Sequence, residues 1–141
     1  MTDIQTLEKV PNYAPARGGA TVYLQVDGAV KAADFYQKAF GGEVAAMHPV
    51  EAKGRTMHIH LYVNGSSVMI GDFYPEHGHL AEAPAGFSIA LHVDDIECWF
   101  KRAVDAGATV TMPVQTMFWG DRYGSVKDPF GVNWAMNEAK R

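Results

Sequence analysis

Only one cysteine, Cys98, occurs in 141 residues. An intrachain disulfide is therefore excluded, and such cysteine usage suits a reducing compartment. Long apolar runs are missing as well. None reaches the ~20 residues that a membrane helix needs, and Asp3 and Glu8 interrupt the N-terminal stretch where a signal peptide would be apolar. Nor is there a basic stripe. Lysines and arginines are scattered through a chain of net charge −4, so phosphate neutralisation, and with it nucleic acid, is not the expected partner chemistry. The expectation is a cytoplasmic protein that binds neither membrane nor nucleic acid.

What is present suits a folded domain. A hydrophobic fraction of 48% and a charged fraction of 20% are those of an ordinary globular chain. The length is enough to bury a core. The chain reads as an N-terminal arm over residues 1–19 and one domain over 20–138.

That domain contains the same unit twice. Thr21-Val-Tyr-Leu-Gln-Val-Asp27 parallels Ser88-Ile-Ala-Leu-His-Val-Asp94, 67 residues later. Each is followed by apolar residues at helical spacing (Phe35, Tyr36, Ala39, Phe40; Ile96, Trp99, Phe100, Ala103) and by a glycine stop. Asp27 is the expected N-cap of the first helix. Asp94, with Glu97 three residues on, is expected to cap the second. Three strands follow each helix, near 43–49, 56–63 and 66–71, then 109–114, 120–127 and 132–137. Asn64-Gly65 is a hairpin signal, and Asp128-Pro-Phe-Gly131 marks the matching turn. Two βαβββ units, about 20–72 and 86–138, follow in tandem, an α+β arrangement.

Alternation then assigns faces. With Asn64 and Gly65 as the two loop residues, His60 stands opposite Met69. His58, His60, Tyr62, Ser67 and Met69 then share a mixed face, while Met57, Ile59, Leu61, Val63, Val68 and Ile70 share a greasy one. Thr21, Tyr23 and Gln25, Ser88, Ala90 and His92, and Asn133, Ala135 and Asn137 belong to the mixed faces. Greasy faces pack under the helices. Mixed faces curl into a polar-lined cup that can hold a ligand.

This order of elements resembles the vicinal oxygen chelate (glyoxalase/bleomycin resistance protein/dioxygenase) superfamily. The resemblance rests on Asp34-Phe-Tyr36, Ala39-Phe-Gly41 and Asp128-Pro-Phe-Gly131, and covers about residues 20–138. Met117-Phe-Trp-Gly-Asp-Arg-Tyr-Gly124, leading to Trp134, looks like the PhnB-like branch. It implies a curved mixed-sheet cup, small-molecule binding and a homodimer. In metal-dependent members the ligands come from the first and last strands of each unit. Those positions are Thr21, Met69, Ser88 and Ala135 here, which include no histidine, cysteine or carboxylate. The superfamily's usual metal chemistry is therefore not expected, and no cofactor is.

The candidate ligand-lining residues are Tyr23, His58, His60, Tyr62, His92, Trp119 and Arg122. Imidazoles titrate near neutrality, so His58 or His60 can serve as a base or a hydrogen-bonding group. With His92, and with Asp72 or Asp121 in reach, they can also rebuild a metal site. Arg122 can clamp an anion bidentately, and Trp119 can stack on a ring. The bland reading of the same residues is structural: satisfied histidines, Trp119 sealing an edge and Arg122 paired with Asp121 or Asp128. Glu76-His-Gly-His79 reads as a solvated linker or a lid, and Cys98 as inert. Three functions stay open: a metal-independent binding protein, a lyase or isomerase using His58 or His60, and an interaction module whose cup is filled by protein, such as the arm from Val10 to Arg17.

Overall fold

Asn64 and Gly65 take φ values of 50° and 84°, the pair of positive angles that a type I′ hairpin turn requires. In the computed structural model, which describes residues 10–141, this turn joins β3 (Ile59–Val63) to β4 (Ser66–Asp72). Val63 pairs with Ser66 and His60 with Met69, as the turn chemistry dictates. β1 (Val22–Val26) lies parallel to β4, and β2 (Glu43–Met47) antiparallel to β3, in the order β1-β4-β3-β2. The second half repeats this with β5 (Ile89–His92), β6 (Thr109–Thr116), β7 (Arg122–Lys127) and β8 (Asn133–Glu138), in the order β5-β8-β7-β6. α1 (Ala29–Phe40) and α2 (Ile96–Ala106) each follow the first strand of a half. The architecture is βαβββ twice, as the repeat implies. No helix among the described residues is long and apolar enough to cross a membrane.

The chain divides into two compact units. One runs to Gln37 and resumes over Gly41–Glu82; the other takes Lys38–Phe40 and Ala83–Arg141. In the first unit Leu24, Val26, Ile59, Leu61, Val63, Val68 and Ile70 are all at most 4% exposed. Burial of each such side chain contributes ~1.5–3 kcal/mol. In the second, α2 packs on β6, β7 and β8, with Val126, Val132, Trp134 and Met136 buried. Asp128 accepts there from the Phe130 and Val132 amides (2.8 and 3.0 Å) and from Trp134 Nε1 (2.9 Å). The Asp-Pro-Phe-Gly turn thereby anchors the largest core ring, whose centroid lies 4.3 Å from that of Phe40.

The helix caps differ from the expectation. α1 has Gly28 as its N-cap, and Asp27 supplies it no side-chain cap. Its first amides, Gly28 and Ala29, instead donate to Asp72 Oδ1 at 2.9 and 3.0 Å, from the far end of β4. Asp95, not Asp94, caps α2 by accepting from the Cys98 amide at 3.2 Å. Glu138 at the end of β8 accepts from the Ile96 amide at 3.1 Å. The repeat thus includes a device invisible to local sequence: a carboxylate ending the last strand meets the start of the helix. α1 stops where Gly41, at φ 67°, returns its amide to Gln37 and the Gly42 amide reaches Tyr36.

Candidate functional site

The mixed face of β3 and β4 is partly covered by the arm. The Met47 amide donates to Pro11 (2.9 Å) and the Ser67 amide to Arg17 (3.0 Å). The Arg17 amide donates to Ser67 Oγ (2.7 Å) and the Tyr62 hydroxyl to Pro15 (2.6 Å). The Arg17 guanidinium sits 3.6 Å above the Tyr62 ring. Beneath this strap His60 is 1% exposed, with Nε2 2.7 Å from Ser67 Oγ. His60 and Tyr62 share the face read from the sequence, but both are engaged by protein. The part of the arm before residue 10 lies outside the described residues.

Beyond the strap the first unit keeps an open cavity of about 350 Å³, lined by Tyr23, Gln25, His48, Met57, His58, Gly71, Asp72, Tyr74 and His79. That volume suits a small ligand. β1 brings Tyr23 and Gln25, and β4 brings Gly71 and Asp72. The approach to β3 brings Met57 and His58. Its floor is tightly built: a Cβ on Gly71 would stand 2.5 Å from the Met57 carbonyl oxygen. The Tyr23 hydroxyl donates to that oxygen at 2.7 Å and lies 3.0 Å from His58 Nδ1. The His48 ring packs at a tilt of 52° against that of His58, with centroids 5.0 Å apart. Asp72 Oδ2 accepts from the Thr56 amide at 2.8 Å, so three backbone amides hold this carboxylate. On the rim Arg55 bridges Glu51 (3.2 Å) and Glu76 (3.0 Å) and lies 4.3 Å over the Tyr74 ring. Hydrogen bonding to Arg55 holds the Glu76 carboxyl at about 2. The Tyr74–His79 segment, bridged at its ends, is thereby tied to the loop before β3.

Burial pushes the Tyr23 phenol up, so it stays protonated. It also pushes His58 down, helped by His48 and His60, and pushes His60 down as well. Both histidines therefore prefer the neutral form when folded, and the unfolded chain takes up protons first. The stability they lend is present above the ordinary value of 6.5 and is lost as pH falls toward their lowered folded values. Denaturant midpoints are expected to drop between about pH 7.5 and 5.5, and to drop less in His58→Phe. A midpoint that is flat or rises on acidification in this window contradicts the assignment.

The other expected residues belong to the second unit. His92 is exposed and lines a separate cavity of about 260 Å³ with Asp94, Asn137 and Glu138. Trp119 is 47% exposed and meets Phe118, itself 96% exposed, edge to face. Arg122 does not face the cup. It pairs with Glu97 of α2 at 2.6 Å, on the side where Gly124 abuts Phe100. The reason is hairpin length. Val63 pairs with Ser66 across two residues, whereas Lys127 pairs with Asn133 across five. The odd difference shifts β7 by one residue in the repeat and inverts its faces. Asp121 is committed too, accepting from Asn137 Nδ2 (2.9 Å) and the Lys140 amide (2.8 Å), contacts that lower its carboxyl.

The residues do not fit the metal that the architecture implies. Thr21 and Met69 touch only through a 4.0 Å Oγ1–Sδ contact, and Ser88 and Ala135 supply no charge. Among the described residues no three histidine, cysteine or acidic side chains are grouped to hold an ion. Gln25, placed on the mixed face by alternation though not among the candidates, does line the cavity, whereas His48, Met57, Tyr74 and His79 were not expected as its walls; Gly71, a glycine inside a strand, was the available signal of close approach.

The family model described as Glyoxalase/Bleomycin resistance protein/Dioxygenase superfamily matches residues 19–136. An uncharacterized protein of Mycobacterium bovis is 38% identical over 125 residues, covering 84% of this chain and 82% of that protein. TioX from Micromonospora sp. ML1 superposes with a TM-score of 0.69 at 26% identity, covering 86% of this chain and 98% of TioX. A PhnB protein from Bacillus cereus gives 0.68 at 23%, covering 86% and 100%, which speaks to the fold.

Proposed function

Because the chain belongs to the Glyoxalase/Bleomycin resistance protein/Dioxygenase superfamily, and resembles its PhnB-like branch, we propose that it binds a small organic molecule in the first unit's cavity without the superfamily's usual metal. The observation that carries this reading is the cavity wall itself. Tyr23, His48, His58 and Tyr74 present rings, Met57 a thioether and Gln25 an amide, a surface for stacking and hydrogen bonding. Thr21, Met69, Ser88 and Ala135 offer no ion a set of charged donors. A homodimer, usual in such folds, and a cytoplasmic location complete the proposal. Thermal-shift screening of small aromatic compounds is expected to yield stabilising ligands whose effect vanishes in a Gln25→Trp variant that fills the cavity. Ligands that stabilise both forms equally place the site elsewhere.

A second reading, a lyase or isomerase, draws support from His58 alone. Its imidazole is neutral and lines the cavity, as a general base must. His60, bonded to Ser67 beneath the arm, has no such access.

A further inference from the structure

We propose that the cavity recognises an uncharged aromatic ligand bearing a hydroxyl group, a phenol or a ring-held enol, whose O–H donates to Nε2 of His58. The inference rests on the binding reading above and assigns it a ligand class.

One proton decides the chemistry of this wall. The Tyr23 oxygen is 2.7 Å from the Met57 carbonyl and 3.0 Å from His58 Nδ1. A carbonyl can only accept, so the phenol proton points at Met57. Were it aimed at the imidazole, two acceptor oxygens would face each other at 2.7 Å with nothing between them. The Tyr23 oxygen therefore accepts from His58, and Nδ1 carries the ring proton. Nε2 is left with a lone pair. His58 Nε2 has no hydrogen-bond partner among the described residues, while every buried side-chain nitrogen or oxygen has one. Nε2 thus lies at the open surface of the cavity that His58 lines. Tyr23 and Met57 together make this histidine an acceptor.

The remaining wall selects against charge. No lysine or arginine lines the cavity, and the Asp72 carboxylate is occupied by three backbone amides. An anion would lose hydration without a counter-charge and would meet the Asp72 carboxylate, while a cation would find the oxygens of that carboxylate already taken by amides. The burial that holds His58 neutral preserves the acceptor at neutral pH. Rings of Tyr23, Tyr74 and His48 favour a flat ligand. Gln25, half-buried and without a side-chain partner among the described residues, can meet a second polar group on it.

The test uses the full chain and three probes: 2-naphthol, 2-methoxynaphthalene and 2-naphthoate, titrated at pH 7.5 by fluorescence. 2-Naphthol is expected to bind about ten-fold more tightly than its methyl ether, the worth of one donor matched to a desolvated acceptor, and more tightly than the anion. His58→Phe is expected to bring naphthol and ether within about two-fold of each other. Equal binding of naphthol and ether to the wild type overturns the inference and leaves the binding reading standing. Preference for naphthoate also overturns it. Failure of all three probes to bind overturns both. The wild-type comparison needs no variant, so a His58→Phe protein that misfolds does not remove the test.

Discussion

Asp72→Ala is expected to lower the free energy of unfolding by about 3–5 kcal/mol, since buried amides left without acceptors cost about 1–3 kcal/mol each. The Gly28, Ala29 and Thr56 amides all lose their partner, and Asp72 is only 5% exposed. A domain of ordinary stability, roughly 5–15 kcal/mol, retains little margin after that loss. Asp72→Asn keeps Oδ1 for the start of α1 but turns a donor toward the Thr56 amide, so an intermediate loss is expected. The repeat supplies a control. Glu138 meets a single amide, of Ile96, and Glu138→Ala should cost only about 1 kcal/mol, the usual worth of a cap. Denaturant titration of the three variants checks the order; equal losses at Asp72 and Glu138 contradict it.

Gly71→Ala should damage the cavity more than any change of a wall side chain. Its Cβ would lie 2.5 Å from the Met57 carbonyl oxygen, which is backbone and which receives the Tyr23 proton. The carbonyl must move, the Tyr23–His58 pair is released, and overpacking of this kind costs about 2–3 kcal/mol. Ligand affinity is expected to fall at least about ten-fold, because the acceptor orientation of His58 is lost with the carbonyl. Gly19→Ala, with nothing within 4 Å, should change stability by less than about 0.5 kcal/mol. A Gly71→Ala protein of wild-type stability and affinity contradicts the tight floor.

How much of this was legible in the chain follows from how far each signal reaches. The Asn64-Gly65 turn is local, so it carried the register of β3 on β4 and placed His60 opposite Met69. The twofold order of elements was legible for the same reason. Asp72 was not, because it serves amides 44 and 43 residues away and no spacing rule spans that distance. Arg122, expected among the lining residues, falls on the other face because the two hairpins differ in length by an odd number of residues, and one residue inverts a face. The strap over His60 and Tyr62 relies on carbonyls of Pro11, Pro15 and Arg17, and backbone acceptors leave no mark in sequence. Tyr23 and His58 were both named from alternation, and the structure brings them to hydrogen-bond distance. Met57, read as a greasy-face residue, instead lies before β3, is 47% exposed and lines the cavity. His79, read as linker, lines it too.

The proposed organic-ligand binding without a resident metal is what sets this protein apart from the metal-dependent members of its superfamily. The decisive experiment is elemental analysis of the purified, untagged protein, paired with 2-naphthol titration before and after chelator treatment and add-back of zinc, iron, nickel and manganese. Metal is expected to stay below about a tenth of an equivalent throughout, with affinity unchanged by chelation. Near-stoichiometric metal that returns on add-back, with binding lost on chelation and restored with the ion, would contradict it.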